Sequence, residues 1–389
     1  MESEPVARWV AARIRNLRLD RGWSAQRLAD ACAEAGFPSL TRGTIAKIES
    51  GVRKSISDEE INALAMAFDI STRELITPDP DWVDERINPF RIPNLGAKVP
   101  LRPWQVEEHS HFYVPVGNSA ELFYEFVREM DSLDILRRDG QLLVVAGDTG
   151  CGKSALSNRC AHYVRYALRE RAATGVVVDV RTRAVGWSAD TIEERFAHVL
   201  WDIVAELDRQ GAVRDKAHEV VRTYEGRPDA VYRQLPDLLA PGHVAIVLLP
   251  PTDLAREVIR YGAATCPNVL FVAEFTADTR TDDALAEVVE ALERHAPPVV
   301  LRMTGLRPGD VRLFVEDRLN RNRMAGRFPR LTEETVDALE TVFMSVAQMQ
   351  STLYETYEHW LRRASPADDA DNIEFRDVVS LLLRRTQNG

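Results

Sequence analysis

A glycine-rich run in the middle of the chain limits the possible folds more than any other feature. Residues 147–154 fit the pattern G-x-x-x-x-G-K-[S/T] at every fixed position. The apolar stretch 141–146 before the run is typical of a buried strand, and residues 155–164 after it are typical of a helix. In such a turn the glycines let successive backbone N–H groups face a phosphate, and the helix adds its positive end. The sequence therefore predicts a phosphate-binding loop between a strand and a helix.

This segment resembles the Walker A motif of P-loop NTPases. The resemblance implies that the loop binds ATP and Mg²⁺, with Lys153 as a catalytic residue on the β- and γ-phosphates and Ser154 as the metal ligand. The residues expected to hold the nucleotide are Gly147, Asp148, Thr149, Gly150, Cys151, Gly152, Lys153, Ser154 and Ala155.

Further apolar stretches alternate with helical patterns along the chain. The predicted strands are 175–180, 244–249, 268–273 and 299–303, and the predicted helices include 190–208 and 282–294. This alternation predicts an α/β domain with a mainly parallel sheet that is covered on both faces. Residues 114–117 and the predicted helix 119–127 resemble the entry of AAA+ and related STAND NTPases, although Asn118 stands where that family usually has arginine.

The chain departs from the pattern of a working NTPase at the end of the predicted strand 244–249. That family carries acidic residues there, which hold Mg²⁺ and activate water, but this sequence has Pro250 and Pro251. The remaining catalytic candidates are Asp253 beyond the strand, Glu274 after the next strand, and Arg294 as an arginine finger. We expect Glu274 to be a solvated strand end, with a place near the γ-phosphate as the alternative. Losing the acids should reduce hydrolysis more than binding, so nucleotide binding is predicted and hydrolysis stays open.

The first part of the chain has a different character. Residues 1–57 contain ten Lys or Arg and six Asp or Glu, whereas the whole chain has a net charge of −11. Short predicted helices follow one another at 6–19, 25–33, 41–49 and 58–67, with Ser24 and Ser57 as predicted caps and Ser57-x-x-Glu60 as a capping box.

These helices resemble the helix-turn-helix domains of the phage-repressor, or Xre-like, family. The segment Thr44 to Gly51, with its Ile-Glu-Ser-Gly ending, is the most similar piece. In that family the third helix enters the major groove of DNA. The resemblance implies base contacts by Thr41, Arg42, Thr44 and Lys47, and phosphate contacts by Gln26, Arg53 and Lys54.

The predicted organisation is multidomain: an all-α helix-turn-helix head, an α/β P-loop NTPase core and an α-helical lid. The predicted bounds are 1–76 for the head, 77–112 for a proline-rich connector, 113–304 for the core, and 305–389 for the lid and C-terminal segment. The connector also contains Trp82, Phe90 and Trp104, so we expect it to pack along the core instead of hanging free.

Composition narrows the class of protein further. The four cysteines are scattered without a metal-binding spacing, and no apolar run is long enough to span a bilayer. The N-terminus has no basic and apolar leader pattern. We therefore expect a reduced, cytoplasmic protein without a membrane partner.

The sequence favours an ATP-binding transcriptional regulator that binds DNA through its head, in which the nucleotide gates the head and the chain forms a homo-oligomer. Two alternatives stay open. One is an ATP-dependent assembly ATPase on DNA, similar to transposition helpers. The other is a STAND-type defence or signalling ATPase, against which the lack of a long repeat region counts.

Overall fold

The computed structural model describes the residues 3–50, 52–53, 55–77, 86–181, 191–214, 217–223, 226–276, 281–293, 297–322, 326, 328–343, 345–362 and 372–380. They divide into two compact units. The first unit combines Met1–Arg91 with Val311–Val342 and Gln350–Gly389, and the second combines Ile92–Asp310 with Phe343–Met349. The prediction of a helical head, a parallel α/β domain and C-terminal helices is confirmed as a fold class.

The head of the first unit is a set of short helices around a small apolar core. Its helices are α1 (Ser3–Asp20), α2 (Ala25–Glu34), α3 (Arg42–Glu49), α4 (Asp58–Ala67) and α5 (Thr72–Ile76). Each of the first four contributes fully buried side chains, among them Ile14, Leu28, Ile45 and Leu64. The aromatic ring of Phe68 closes this core and stacks on Trp23.

Helix ends in the head lie where the sequence predicts caps. The Ser24 hydroxyl accepts the N–H of Arg27 at 3.1 Å at the start of α2. At the start of α4 the capping box is complete, because Ser57 accepts the N–H of Glu60 and the Glu60 carboxylate accepts the N–H of Ser57. These side chains satisfy backbone donors that the first helical turn leaves without partners.

The second unit contains a five-stranded parallel sheet. Its strands are β1 (Gln141–Gly147), β2 (Thr174–Asp179), β3 (His243–Leu248), β4 (Val269–Thr276) and β5 (Val299–Arg302). Their order is β2-β3-β4-β1-β5, and every pair within it is parallel. The carboxyl ends of the strands therefore meet at one edge, where the glycine-rich run follows β1.

Helices cover both faces of this sheet, as the alternating pattern predicts. They are α6 (Ser119–Glu129), α7 (Asp134–Arg138), α8 (Lys153–Arg169), α9 (Ile192–Arg209), α10 (Ala217–Thr223), α11 (Pro228–Leu238), α12 (Ala255–Ala263) and α13 (Thr281–Leu292). Along β1, Leu142 and Val144 point into one core with α9, whereas Leu143 and Val145 point into another with α8. A strand buried on both faces explains its continuous apolar run.

The remaining elements come before the first strand or after the last strand of the sheet in chain order. A 3₁₀ helix spans Glu107–Phe112, and the C-terminal part contains α14 (Asp310–Asn322), β6 (Arg330–Leu331), α15 (Glu333–Val342), α16 (Val346–Leu361) and β7 (Asn372–Ile373). Strands β6 and β7 pair in parallel. In the part of the chain that the structure describes, no helix is both long and apolar enough to cross a membrane.

The predicted connector divides between the two units. Phe90 is fully buried against Phe314 and Tyr357 in the first unit. From Ile92 onward the connector belongs to the second unit, and Trp104 packs against the core beside α8. The expectation that the connector packs along the α/β core thus holds for its second half, and Trp82 lies outside the described residues.

Candidate nucleotide and DNA sites

The glycine-rich loop adopts backbone conformations that require glycine. Gly152 has a φ of 108° directly before α8, and Gly150 has a φ of 82°. A Cβ atom on Gly150 would come within 2.8 Å of the Ser345 Oγ, because Ser345 and Ala347 lie on the tip of the loop. Ala347 donates its N–H to the Gly150 carbonyl at 3.0 Å. The loop therefore has the shape of a phosphate cradle at the N-terminus of a long helix.

Lys153 is the first residue of α8 and folds back over the loop. Its ammonium group donates to the carbonyl of Gly147 at 2.7 Å and to that of Asp148 at 2.8 Å. The residue is only 8% exposed. Asp148 and Thr149, at the turn of the loop, are exposed. The positive charge is thus fixed at the loop by two neutral carbonyls, where an anionic ligand would complete its coordination.

Ser154 contacts a carboxylate that comes from β4. Its hydroxyl donates to the Glu274 Oε2 at 2.5 Å. Glu274 is 2% exposed, so the expectation of a solvated strand end is wrong. The reason is that β4 runs on to Thr276, beyond the predicted end at 273, which places Glu274 inside the sheet opposite Val145 of β1. The alternative expectation, a carboxylate near the phosphate loop, agrees with this position.

A second buried group holds the other oxygen of Glu274. The Arg181 guanidinium lies 2.8 Å from the Glu274 Oε1 and 2.7 Å from the Asp179 Oδ2, and its side chain is 9% exposed. Burial alone would raise the pKa of Asp179, but its hydrogen bonds with Arg181 hold that pKa below its ordinary value. The guanidinium therefore favours the charged form of Asp179 in this buried place.

The sequence interpretation missed Arg181 and Asp179. The signal was present in the pattern, because Asp179 ends the strand β2 and parallel strands end at one edge of a sheet. A buried carboxylate also needs a cationic partner, so a search for an arginine just after a strand of this sheet could have found Arg181.

The end of β3 has another polar cluster that does not include Asp253. Thr252 follows the two prolines, bridges to Phe275 and donates its hydroxyl to Glu257 at 2.6 Å. Arg195 forms an ion pair with the same carboxylate. Asp253 itself is exposed, and its predicted catalytic role stays a prediction. Arg294 lies outside the described residues.

The remaining loop residues have structural contacts. The Ala155 carbonyl accepts the Tyr113 hydroxyl at 2.9 Å. Cys151 is buried, and burial raises the pKa of its thiol although Lys153 opposes this effect. Asn118, which stands in place of arginine, donates to the Arg302 carbonyl and accepts the N–H of Thr304. It thus fastens the entry segment to the end of β5.

The side chains at the phosphate loop indicate whether the site can hold Mg²⁺. Among the described residues, no group of three or more His, Cys, Asp or Glu side chains could hold a metal ion alone. Mg²⁺ commonly uses one or two protein oxygens, water and the phosphates of its nucleotide. A serine hydroxyl beside a buried carboxylate supplies oxygens of this kind, so the residues fit a nucleotide-bound Mg²⁺.

The predicted DNA-binding residues lie on the head. Arg42 and Lys47 are exposed on α3, with Lys47 in its last turn. The Thr41 hydroxyl caps α3 by accepting the N–H of Thr44 at 3.3 Å, and the two threonine hydroxyls lie 3.1 Å apart. The start of α3 thus combines polar groups with the exposed basic side chain of Arg42.

The predicted phosphate contacts have intramolecular partners. The amide of Gln26 donates to Asp30 at 2.8 Å, and Arg53 pairs with Glu60 at 2.6 Å. Lys54 lies outside the described residues. A contact to DNA by Gln26 or Arg53 would have to share or replace these partners.

One comparison with known proteins concerns the head. Residues 14–75 match the model of the helix-turn-helix family HTH_3, so the resemblance of the head is confirmed. Among curated proteins, no sequence matches the chain.

Several solved structures are similar to the chain at low identity. The ORC1 protein of Aeropyrum pernix in complex with DNA is 14% identical over 73% of this chain and 69% of its own, with a TM-score of 0.47. The ORC2 protein of the same organism is 12% identical over 77% and 71%, with a TM-score of 0.45. Domain III of the replication initiation protein DnaA from Thermotoga maritima is 13% identical over 74% and 98%, with a TM-score of 0.39. A likeness this weak is not evidence of a shared activity.

Proposed function

We propose that this chain is an ATP-binding, DNA-binding transcriptional regulator in which the P-loop domain gates the helix-turn-helix head. The contact of Ser154 with the buried Glu274, beside Lys153 at the start of α8, carries the nucleotide part of the proposal. The exposed face of α3 carries the DNA part, since the third helix is the one that enters the major groove in this class of domain.

The nucleotide site uses this chain's residues in distinct roles. The loop N–H groups and Lys153 bind the phosphates, and Ser154 holds the Mg²⁺ that neutralises phosphate charge. Glu274 takes the place of the acid that Pro250 replaces, because its carboxylate reaches Ser154 from the neighbouring strand. Occupation of this site changes the oligomeric state of the chain, and an oligomer that presents several heads gains affinity for DNA by linkage.

Nucleotide binding is tested with a fluorescent ATP analogue and the purified full-length chain. We expect saturable binding that depends on Mg²⁺ and that Lys153→Ala abolishes. Lys98→Ala is the matched control, because Lys98 is an exposed lysine of the connector. Equal binding by the wild-type chain and the Lys153→Ala variant would contradict the proposal.

A second function, an ATP-dependent assembly ATPase on DNA, is favoured by one observation. Glu274 provides a carboxylate at the phosphate loop, and a carboxylate in such a place is the kind of group that activates the attacking water in hydrolysis, a role beyond nucleotide binding. Measurement of phosphate release with and without duplex DNA separates the two. Turnover that DNA stimulates and that Glu274→Gln removes would move this function to first place, whereas negligible turnover supports the regulator.

A further inference from the structure

A continuous chain of hydrogen bonds leads from Ser154 to the connector. Its first part is the guanidinium of Arg181, which donates to Glu274, to both oxygens of Asp179 and to Asn158. The bond from Arg181 Nη2 to the Asn158 Oδ1 measures 2.7 Å. Because the guanidinium is planar and rigid, it cannot turn toward one of these partners without changing its contacts to the others.

Asn158 is the second part of this chain. It is fully buried on α8, one helical turn after Ser154 and thus on the same side of the helix. Its Oδ1 accepts both Arg181 and the indole N–H of Trp104, the latter at 3.2 Å. Its Nδ2 donates to the Leu101 carbonyl at 2.6 Å. The Oδ1 of this amide therefore contacts both the charged cluster and the connector, and its Nδ2 contacts the connector alone.

The connector is held on α8 at these residues. In addition to the two bonds with Asn158, the Trp104 carbonyl accepts Arg165 of α8 at 2.5 Å. The indole ring packs against the core around α8, and Leu101 is buried. Residues 101–104 precede the phosphate loop in sequence and follow the helix-turn-helix head, so a change in their position is a change in the segment that joins the two.

The electrostatics of the cluster make its geometry sensitive to a ligand. Asp179 and Glu274 carry two negative charges, and Arg181 is the cation that lies between them. A phosphate-bound cation at the Ser154 hydroxyl would attract the Glu274 carboxylate and weaken its hold on Arg181. Because the guanidinium is one rigid group, a weaker pair with Glu274 lets it shift toward its remaining partners, Asp179 and Asn158.

We propose that Arg181 and Asn158 form a relay that couples the Mg²⁺–nucleotide at Ser154 to residues 101–104 of the connector. The inference deepens the proposed function and rests on it, because the relay needs a nucleotide at the loop. Arg181 acts as a positioning residue for Glu274, and Asn158 transmits its orientation to Trp104. By reciprocity, a change at Trp104 must alter the affinity of a nucleotide that Trp104 does not touch.

A double-mutant cycle in the full-length chain tests the relay. Trp104→Phe keeps an aromatic ring and removes the N–H whose hydrogen bond Asn158 accepts. Arg181→Lys keeps the positive charge and removes the planar guanidinium that bonds to several partners at once. The measured quantity is the affinity for the fluorescent ATP analogue with Mg²⁺. We expect each substitution to weaken it by about threefold or more, the size of one lost hydrogen bond. The double variant should differ from the product of the two effects by about threefold, since coupled sites are not additive.

Trp201→Phe is the matched control, because Trp201 is a half-exposed tryptophan on α9 outside the relay. It should leave the nucleotide affinity unchanged. The relay is overturned if Trp104→Phe leaves the nucleotide affinity as unchanged as Trp201→Phe does. It is also overturned if the loss of affinity in the double variant equals the product of the losses in the two single variants. If the wild-type chain and Lys153→Ala bind the analogue equally, the proposed function fails and the relay fails with it.

Hydrogen exchange provides a second measurement that does not depend on the stability of the Arg181 variant. The N–H groups of Gln105 and Val106 bond to the Arg102 carbonyl at 3.0 and 2.9 Å. Nucleotide and Mg²⁺ should change their exchange rates in the wild-type chain, and the change should be smaller in Trp104→Phe. Exchange rates in this turn that do not change with nucleotide, in either the wild-type chain or Trp104→Phe, would also overturn the relay.

Discussion

At the scale of single residues, the site depends on where Glu274 lies. Its carboxylate comes from β4, whereas the P-loop NTPases that the sequence resembles carry the acid at the end of the strand that corresponds to β3. Glu274 lies within hydrogen-bond distance of Ser154, and Asp253 is exposed. The strand beside β3 thus places a carboxylate at the phosphate loop, where the end of β3 has two prolines.

Replacement of this carboxylate by an amide of the same shape should weaken Mg²⁺-dependent nucleotide binding. We expect Glu274→Gln to lower that affinity by about tenfold, as is typical when a group that orients a metal ligand is changed. Asp253→Asn should have the smaller effect. Titration of the ATP analogue at several Mg²⁺ concentrations compares the two variants. A larger loss with Asp253→Asn would assign the role to Asp253.

The thiols of the chain should react slowly in the folded protein. All four cysteines are buried, and burial raises the pKa of Cys32 to about 11 and that of Cys266 to about 12. The thiolate is the reactive form, so little of it is present at neutral pH. We expect slow labelling by an aromatic disulfide reagent at pH 7 and rapid labelling of four thiols in denaturant. Rapid labelling of Cys151 in the folded chain would show that the loop opens.

At the scale of secondary-structure elements, the helices of the head rest on short polar interactions at their ends. The capping box of α4 combines Ser57 with Glu60, and Glu60 also pairs with Arg53. Ser57→Ala removes one acceptor from the first turn and should destabilise α4 by about 1 kcal/mol. Faster hydrogen exchange in the first turns of α4, without change in the α/β unit, is the expected observation. Unchanged exchange in α4 would contradict the role of the cap.

The same cap should make the stability of α4 depend on pH. Burial acts to raise the pKa of Glu60, but the Ser57 N–H and Arg53 outweigh it and hold the pKa below its ordinary value of 4.5. The unfolded state thus binds the proton more readily than the folded state. The contribution of ionised Glu60 to the stability of α4 is therefore fully present above pH 4.5 and is lost as the pH falls below that value. Glu60→Gln should remove this part of the pH dependence of exchange in α4.

The exposed face of α3 should determine DNA binding. Arg42→Ala and Lys47→Ala should each weaken binding to duplex DNA, and loss of one phosphate contact should lower the slope of log affinity against log salt by about 1. Arg128→Ala, an exposed arginine on α6, is the control of equal charge. Titration of a labelled duplex pool at several salt concentrations gives both quantities. Equal effects of all three variants would indicate only a loss of net charge.

At the scale of the whole molecule, most of the architecture could be predicted from the sequence. The strands of the sheet begin and end within a few residues of the predicted bounds, because apolar runs, glycines and prolines are local signals. The loop at 147–154 and the caps at Ser24 and Ser57 are local for the same reason. These features depend on residues that are close together in the chain.

The parts of the site that escaped prediction depend on contacts between distant segments. Arg181 and Glu274 are 93 positions apart, and Trp104 and Asn158 are 54 apart. The order of strands brings β1 beside β4, which the sequence alone does not specify. The error at Glu274 arose from placing the end of β4 at residue 273. The strand continues to Thr276, and inside the sheet the Glu274 side chain is buried instead of exposed.

The central claim is that the nucleotide at Ser154 gates DNA binding by the head. It is tested most directly by the affinity of the full-length chain for a labelled duplex pool with and without a non-hydrolysable ATP analogue and Mg²⁺. We predict a change of about fivefold or more in the wild-type chain, within the usual range of coupling between two sites, and no change in Lys153→Ala. A DNA affinity that is identical with and without the nucleotide, in a chain that binds both, would contradict the account.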